Sequence, residues 1–278
     1  MTISRRNFIK WGLGVTGLGV VASYPFMIER YIVHVNHYRL SVRDLPESFE
    51  GFRIVHLTDL HYGSLVPLWW LRRVMRLTTR QKPDLIVLTG DYVRGRNSRG
   101  GLDTIWPEIM RLDAPSGVKM VLGNHDHWAD HDHALELLEN SGRSLRNRAE
   151  VLVRGRDELV LAGVGDFLED EVGIDAALEG IDDRTPRLVL AHNPDTADMD
   201  YSSRVDWFIC GHTHGGQVDI PFIGTPVLPV RNKKYNYGVK NNGRSKLFIS
   251  KGIGWAVYPV RFNCAPEIAV LDLTSRGV

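Results

Sequence analysis

Cysteine is scarce in this chain: Cys210 and Cys264 are the only two among 278 residues. That excludes a disulfide framework, and it leaves no thiolate cluster for a structural zinc site. An excess of one charge is missing as well, since 34 Lys and Arg stand against 33 Asp and Glu. This balance argues against the wholesale basic surface of a nucleic-acid-binding domain. There is no internal repeat, low-complexity tract or linker that would justify two folded domains. What is present is ordinary for a globular protein, with 43% hydrophobic and 24% charged residues. The length suits one sizeable α/β domain, read here over residues 31–278.

The amino terminus departs from that average. Ser4-Arg5-Arg6-Asn7-Phe8-Ile9-Lys10 precedes a charge-free stretch from Trp11 to Ile28, rich in Gly, Val and Leu. A charged segment followed by a weakly hydrophobic one is an export signal. The paired arginines resemble a twin-arginine signal, which hands folded proteins to the twin-arginine export machinery. Glycines at 12, 14, 17 and 19 weaken the alternative of a soluble helix. Val20-Val21-Ala22 before Ser23 is a passable cleavage site, yet the same stretch nears the lower length limit of an uncleaved anchor. Residues 1–30 are therefore read as a signal or membrane anchor, with the rest at the outer face of the cytoplasmic membrane. A domain folded before export would carry free thiols, and Cys210 sits in an apolar run that suits a buried one.

Tyr31 to Val42 alternates like a strand, and Phe52–Thr58 is the next. Pro67 to Thr79 has the spacing of a helix. Leu85–Leu88, Val118–Leu122, Arg187–Ala191 and Val205–Cys210 are apolar runs of strand length. Helices are expected near Thr104–Leu112, Ala134–Asn140 and Ile174–Leu178, and a hairpin over Val151–Val153 and Leu159–Ala162. Gln217 to Gly238 reads as a loop, and Lys246–Ser250 and Glu267–Leu273 as the last strands. Helices between strands early, and dense strands late, suggest two sheets packed together and flanked by helices.

Five of these strands end in metal-competent residues. They deliver Asp59 with His61, Asp91, Asn124-His125-Asp126, His192, and His212 with His214. The ends of strands are where ligands bind in open α/β sheets. A lone buried histidine is more often a satisfied core residue than a ligand, but five strand ends following one rule outweigh that. Imidazole, carboxylate and amide oxygen together suit Zn, Mn or Fe, and there are enough groups for two ions with one carboxylate between them. Two metals about 3.5–4 Å apart form the clamp for in-line displacement at phosphorus, with hydroxide generated from bound water. Such chemistry also needs an acid for the leaving alkoxide, and a nearby histidine that is not a ligand would serve.

Asp59-x-His61, Gly90-Asp91, Gly123-Asn124-His125-Asp126, His192 and Gly211-His212-Thr213-His214 resemble, in order, the blocks of the calcineurin-like metallophosphoesterases. Gly211 to Gln217, Gly252-Ile253-Gly254 and Arg261-Phe262-x-x-x-Pro266-Glu267-Ile268 resemble a bacterial subgroup of exported or membrane-anchored phosphodiesterases. That subgroup includes a UDP-2,3-diacylglucosamine hydrolase branch. The resemblance implies a four-layer αββα sandwich of two mixed sheets. It also implies one metal on Asp59, His61, Asp91 and His214, and a second on Asp91, Asn124, His192 and His212. His125 would be the general acid, with Asp126 orienting it. The implied substrate is a phosphodiester or a lipid-linked phosphate.

Other residues carry two readings. Trp69-Trp70 suit either the core or an apolar lip meeting membrane, and Arg72, Arg73 and Arg76 either anionic head groups or solvent. Arg94, Arg96 and Arg99 suit either substrate steering or a plain loop, and His127, His131 and His133 read as surface residues. Three rivals stand beside the envelope phosphodiesterase. The first is UDP-2,3-diacylglucosamine hydrolysis, in tension with export because that substrate is cytoplasmic. A nuclease would want a basic groove, which the charge balance does not suggest. A non-catalytic metal-binding protein would be favoured by a lost ligand, and none is lost.

Overall fold

The computed structural model describes residues 23–276. In strand β3 (Leu85–Leu88) all four side chains are inaccessible to solvent. Their alternation sends Leu85 and Val87 into the space between two sheets, and Ile86 and Leu88 toward helices. A run buried on both faces has no need of polar residues, which is why it reads as continuously apolar.

The first sheet has the order β1 (His34–Ser41), β11 (Glu267–Thr274), β2 (Arg53–Leu57), β3, β4 (Val118–Met120). The second has the order β5 (Arg148–Arg154), β6 (Asp157–Gly163), β7 (Arg187–Leu190), β8 (Trp207–Cys210), β10 (Lys246–Ile249), β9 (Gly238–Asn241). Pairing is parallel through β2–β3–β4 and through β6–β7–β8–β10. It is antiparallel between β11 and β2 and at both edges of the second sheet. Both sheets are therefore mixed. Because the central strands run parallel, their carboxyl ends gather at one edge of each sheet.

Helices α1 (Leu68–Arg80), α2 (Arg99–Ile109) and α3 (Asn124–Asn140) cover the first sheet. Helix α1 buries Trp70, Leu71, Val74 and Met75, whose spacing makes one apolar stripe. Each such burial contributes roughly 1.5–3 kcal/mol, and Trp70→Ala is expected to cost about 3–5 kcal/mol. The middle layer is the inter-sheet core, with Ile54, Val87, Leu161, Leu190, Ile209 and Phe248. The outer face of the second sheet lies under the short helix α4 (Ile174–Ala177), a 3₁₀ turn at Pro194–Asp198 and two tyrosines, Tyr201 and Tyr235. The fold is the expected four-layer αββα sandwich, with a thin fourth layer.

Three elements differ from the sequence reading. Helix α2 begins at Arg99 rather than near Thr104, so part of the glycine-rich loop forms its first turn. Residues 238–241, which follow the expected loop and carried no assignment beyond Gly238, form an edge strand with exposed alternate residues. Helix α3 begins at Asn124, ten residues earlier than its apolar periodicity suggests, and breaks at Asp130. Residues 1–22, with the paired arginines and most of the charge-free stretch, lie outside the described residues. Among the described residues no helix is long and apolar enough to cross a membrane. Cys210 and Cys264 are free and buried.

Candidate metal centre

The strand ends converge because each chain turns sharply on leaving its sheet. Asp59, His61, Asp91, His212 and His214 all take left-handed backbone conformations, with φ between +47° and +67°. Such a conformation costs a non-glycine residue of order 1–2 kcal/mol, so surrounding bonds must impose it. The loops after β2 and β3 are laced together: the Asp59 amide donates to the Gly90 carbonyl and that of His61 to Asp91, each at 2.9 Å. Glycines before the ligands allow the close approach. A Cβ on Gly90 would sit 2.2 Å from the Gly123 nitrogen, and one on Gly211 would sit 2.1 Å from Thr58 Oγ1.

All seven residues expected to bind metal meet here. The ligating atoms of Asp59, His61 and His214 lie within 4.8 Å of one another, and so do those of Asp91, His192 and His212. Asp91 Oδ2 is 3.4 Å from both His61 Nε2 and His192 Nε2, so one carboxylate oxygen faces both groups. Asn124 Oδ1 joins the second group, 3.2 Å from His192 Nε2. The imidazoles are oriented from behind. His192 Nδ1 donates to the Thr89 carbonyl (2.7 Å) and His212 Nε2 to that of Pro229 (2.9 Å). This turns His192 Nε2 and His212 Nδ1 toward the site as the ring nitrogens that would meet a cation.

The donor set fits divalent cations on the protein's own evidence. Asp59 Oδ1 is buried without a hydrogen-bond partner, while its Oδ2 accepts from the His212 amide at 3.0 Å. A dry, unpartnered carboxylate oxygen beside imidazole nitrogens is costly unless a cation meets it. The protein's groups alone point the same way. Burial would raise the Asp59 and Asp91 carboxyls, but the surrounding histidines hold both below the usual range. Burial would lower His192, but Asp91 and Asp59 carry it up to about 10. Burial pushes His212 down to about 4, and His214 well below its ordinary value. The centre thus demands positive charge: without a cation it keeps a proton on His192, while His212 and His214 stand as neutral imidazoles.

His125 and Asp126 part company. The His125 ring packs edge-on against His61 and accepts from the Gly95 amide at Nδ1 (3.2 Å), so Nε2 carries its hydrogen. Asp126 does not orient that ring. Its Oδ2 accepts from the amides of Asp91 (2.8 Å) and Gly123 (3.0 Å), and its Oδ1 from those of Tyr92 (2.7 Å) and Val93 (3.3 Å). Burial, with Asp91 adding to it, pushes Asp126 up to about 8, while the amides pull it down. All four partners are backbone donors, so both oxygens of Asp126 are held in place. Asp126 is a brace for the Asp91 turn, and Gly95 takes the place expected of it.

The flanking residues divide as well. Trp70 is buried in the core, and Trp69 is 60% exposed. Arg94 is tied to the carbonyls of Ala256 and Val257, Arg96 lies over the Trp128 ring, and Arg99 meets Asp130. All three hold the loop. His127 is not a surface residue: it is buried, 2.9 Å from His131, and burial lowers it to about 4.

The profile of the calcineurin-like phosphoesterases matches residues 52–216, more than half of the chain. The chain belongs to that family. Phosphodiesterase YaeI of Escherichia coli K12 is 33% identical to this calcineurin-like phosphoesterase, over 98% of the chain and 99% of the relative. An uncharacterized metallophosphoesterase, YkuE of Bacillus subtilis, is 29% identical over 99% of each. UDP-2,3-diacylglucosamine pyrophosphatase LpxG of Chlamydia muridarum is 24% identical over 82% of the chain and 86% of the relative. The protein is a hydrolase of phosphoric esters with a cluster of metal-binding side chains.

One residue of this phosphoesterase site escaped the sequence reading, and another was named there in a motif without a role. Asp166 follows β6 at a sixth strand end, buried, with Oδ1 accepting from Leu168 and Glu169 and Oδ2 unpartnered. Burial raises it to about 6, with His192 opposing and Asp91 adding. Gly163-Val164-Gly165-Asp166 has the same strand–glycine–acid order as the other blocks and was the available signal. Arg261 is fully buried and donates to the carbonyls of His214, Gly252, Gly254, Lys251 and Cys264. It fixes the loop behind His214, and nothing local in the sequence shows that.

Proposed function

We propose that this protein hydrolyses phosphodiester or pyrophosphate bonds at the cell envelope, using two divalent cations. The observation that carries the proposal is Asp91 Oδ2, equidistant at 3.4 Å from an imidazole of each half-site. Asp59, His61, Asp91 and His214 would hold one cation, and Asp91, Asn124, His192 and His212 the other. Cations bound there supply Lewis acidity, lowering the pKa of water and neutralising charge that develops on phosphoryl oxygens.

The chain's own residues do the rest. Asp126 fixes the Asp91 turn through four amides, so Asp91 Oδ2 keeps its place between the two groups. The His125 amide donates to Asp91 Oδ1 at 2.8 Å, which leaves Oδ2 for the cations and ties the ring to the bridge. His125 Nε2–H is the donor free to meet an oxygen of the phosphoryl group; when Nδ1 also takes up a proton, the Nε2 proton can pass to the departing alkoxide and leave the ring neutral. His61 and Trp128 flank that ring and restrict its rotation.

Export by the twin-arginine route would put the site outside the cytoplasmic membrane, where envelope phosphodiesters and lipid-linked phosphates are available. A second reading is UDP-2,3-diacylglucosamine hydrolysis, supported by the likeness to the chlamydial pyrophosphatase. It requires the site to face the cytoplasm. Manganese-loaded protein should cleave bis-p-nitrophenyl phosphate faster than the monoester, and short single-stranded DNA slowly or not at all. Selective turnover of UDP-2,3-diacylglucosamine in the same panel would establish the second reading instead. No turnover by protein carrying two ions would sink both.

A further inference from the structure

Large apolar side chains that would ordinarily be buried crowd one face of the protein. Phe26 and Met27 come from the amino-terminal turn, Phe222 and Ile223 from the tip of a tight turn, and Val257 and Tyr258 from the loop after β10. These segments are tied to one another. The Arg261 amide donates to the Pro25 carbonyl, that of Asp219 to Phe262, and the Gln217 side chain holds both Ala256 and Tyr258. Tyr24, Pro221 and Phe262 line one recess between them. The face borders the metal centre, because Gln217 lies three residues beyond His214 and Arg94 fastens Val257 three residues beyond Asp91.

The turn at its edge is built to present apolar groups. The Ile220 and Gly224 amides exchange hydrogen bonds with each other's carbonyls at 2.9 and 2.8 Å. Phe222 at the tip is held at φ +68°, a conformation unfavourable for a bulky residue, and is fully exposed. A turn strained to hold Phe222 and Ile223 away from the protein calls for an apolar medium beyond it.

We propose that this face seats on an anionic lipid bilayer. Two observations favour a bilayer over a protein partner. The described chain begins at this face with residues 24–28, which in sequence continue the charge-free stretch from Trp11, so the apolar leading segment joins the described chain here. At the flank, Trp69 stacks on Tyr31, and on α1 it shares one outward stripe with Arg73 and Arg76, both exposed. An exposed indole with cations beside it suits the interface of a membrane carrying negative head groups. Docked in this way, the metal centre opens beside the head groups, and substrate reaches it from the membrane plane. The inference rests on the envelope location proposed above and on no particular phosphoester.

The test uses the full-length chain. Cys210 and Cys264 are buried, so an Ile223→Cys variant takes a polarity-sensitive dye at residue 223 alone. Tyr258→Cys gives a second position on the face. Arg156→Cys, in the β5–β6 turn near the start of β2, gives a control at the opposite end. On vesicles of phosphatidylethanolamine and phosphatidylglycerol, the emission at 223 and 258 should shift to the blue and be quenched by spin-labelled lipid. The emission at 156 should not change. Phe222→Ser with Ile223→Ser should weaken vesicle binding about tenfold, with circular dichroism and metal content unchanged. The proposal is overturned if vesicles bind while 223 stays in water, which would mean attachment through the leading segment alone. It is equally overturned by an absence of binding, or by dry emission at 223 before vesicles are added, which would mean that a second copy or the leading segment covers the face. Each of these results can coexist with undiminished hydrolysis of a soluble diester, so the phosphoesterase reading stands or falls separately.

Discussion

The two halves of the metal centre are built on different physics around one shared carboxylate. The half formed by Asp59, His61 and His214 brings a carboxylate of its own. The half formed by Asn124, His192 and His212 brings a neutral amide oxygen instead, with imidazoles steered by the carbonyls of Thr89 and Pro229. The first half attracts a cation by charge, and the second by lone pairs aimed in advance. Charge acts strongly in a dry site, whereas an oriented neutral set is weaker and more selective by geometry. Two ions in one cleft therefore need not be equivalent, and variants that separate the halves test this.

The largest effect belongs to the residue that ends the comparison. Asp91→Ala removes the oxygen common to both halves, so the purified protein should fall from two bound ions to fewer than one. Diester turnover should drop by about a thousandfold or more, since several kcal/mol of charge stabilisation are lost. Elemental analysis beside a rate assay reads both, and two ions retained with ordinary turnover would end the bridging assignment.

Next come the variants that split the halves. Asp59→Ala should lose one ion and stay impaired at high metal concentration. Asn124→Ala should weaken the other ion by about 10–100-fold, and excess manganese should restore activity. Metal titration of the two proteins decides it. Equal losses from both, or rescue of the Asp59 variant alone, would reverse the ranking. His125→Ala should keep both ions and lose about 10²–10³-fold in rate on an alkyl diester, with a smaller loss for p-nitrophenolate, which leaves without a proton. A loss independent of the leaving group would assign His125 to phosphate binding instead.

The strand-borne part of this centre was readable because parallel strands buried on both faces are apolar throughout, so a polar residue at the carboxyl end stands out. Leu85–Leu88 before Asp91, and Trp207–Cys210 before His212, show this plainly. Asp126 was readable as important, but not in its role. Three of its four partners are the amides of Asp91, Tyr92 and Val93, more than thirty residues away, and an amide leaves no mark in a sequence. The start of α3 was hidden because Asn124 to Asp130 carries ligands and braces in place of an apolar stripe. Burial of His127 depends on Asp170 and His131 closing around it, which its neighbours in sequence do not foretell.

Asp166 gives the smallest effect and extends the contrast between the halves, since its charge is felt by His192 and Asp91. Burial raises its pKa from 3.8 to about 6, so the folded protein favours the neutral acid. The sign follows from linkage: its contribution to stability is full below about pH 4 and is lost as the pH rises through about 6. Asp166→Asn keeps the shape and removes the ionisation. In chelator-treated protein, urea unfolding should show the variant gaining on the parent as the pH rises from about 4 to 7, by about 2–3 kcal/mol at most. Below pH 4 the difference should be flat. A gap that does not change across that range would mean that Asp166 ionises as freely in the folded protein as in water, and its unpartnered Oδ2 would then have a partner still to be found.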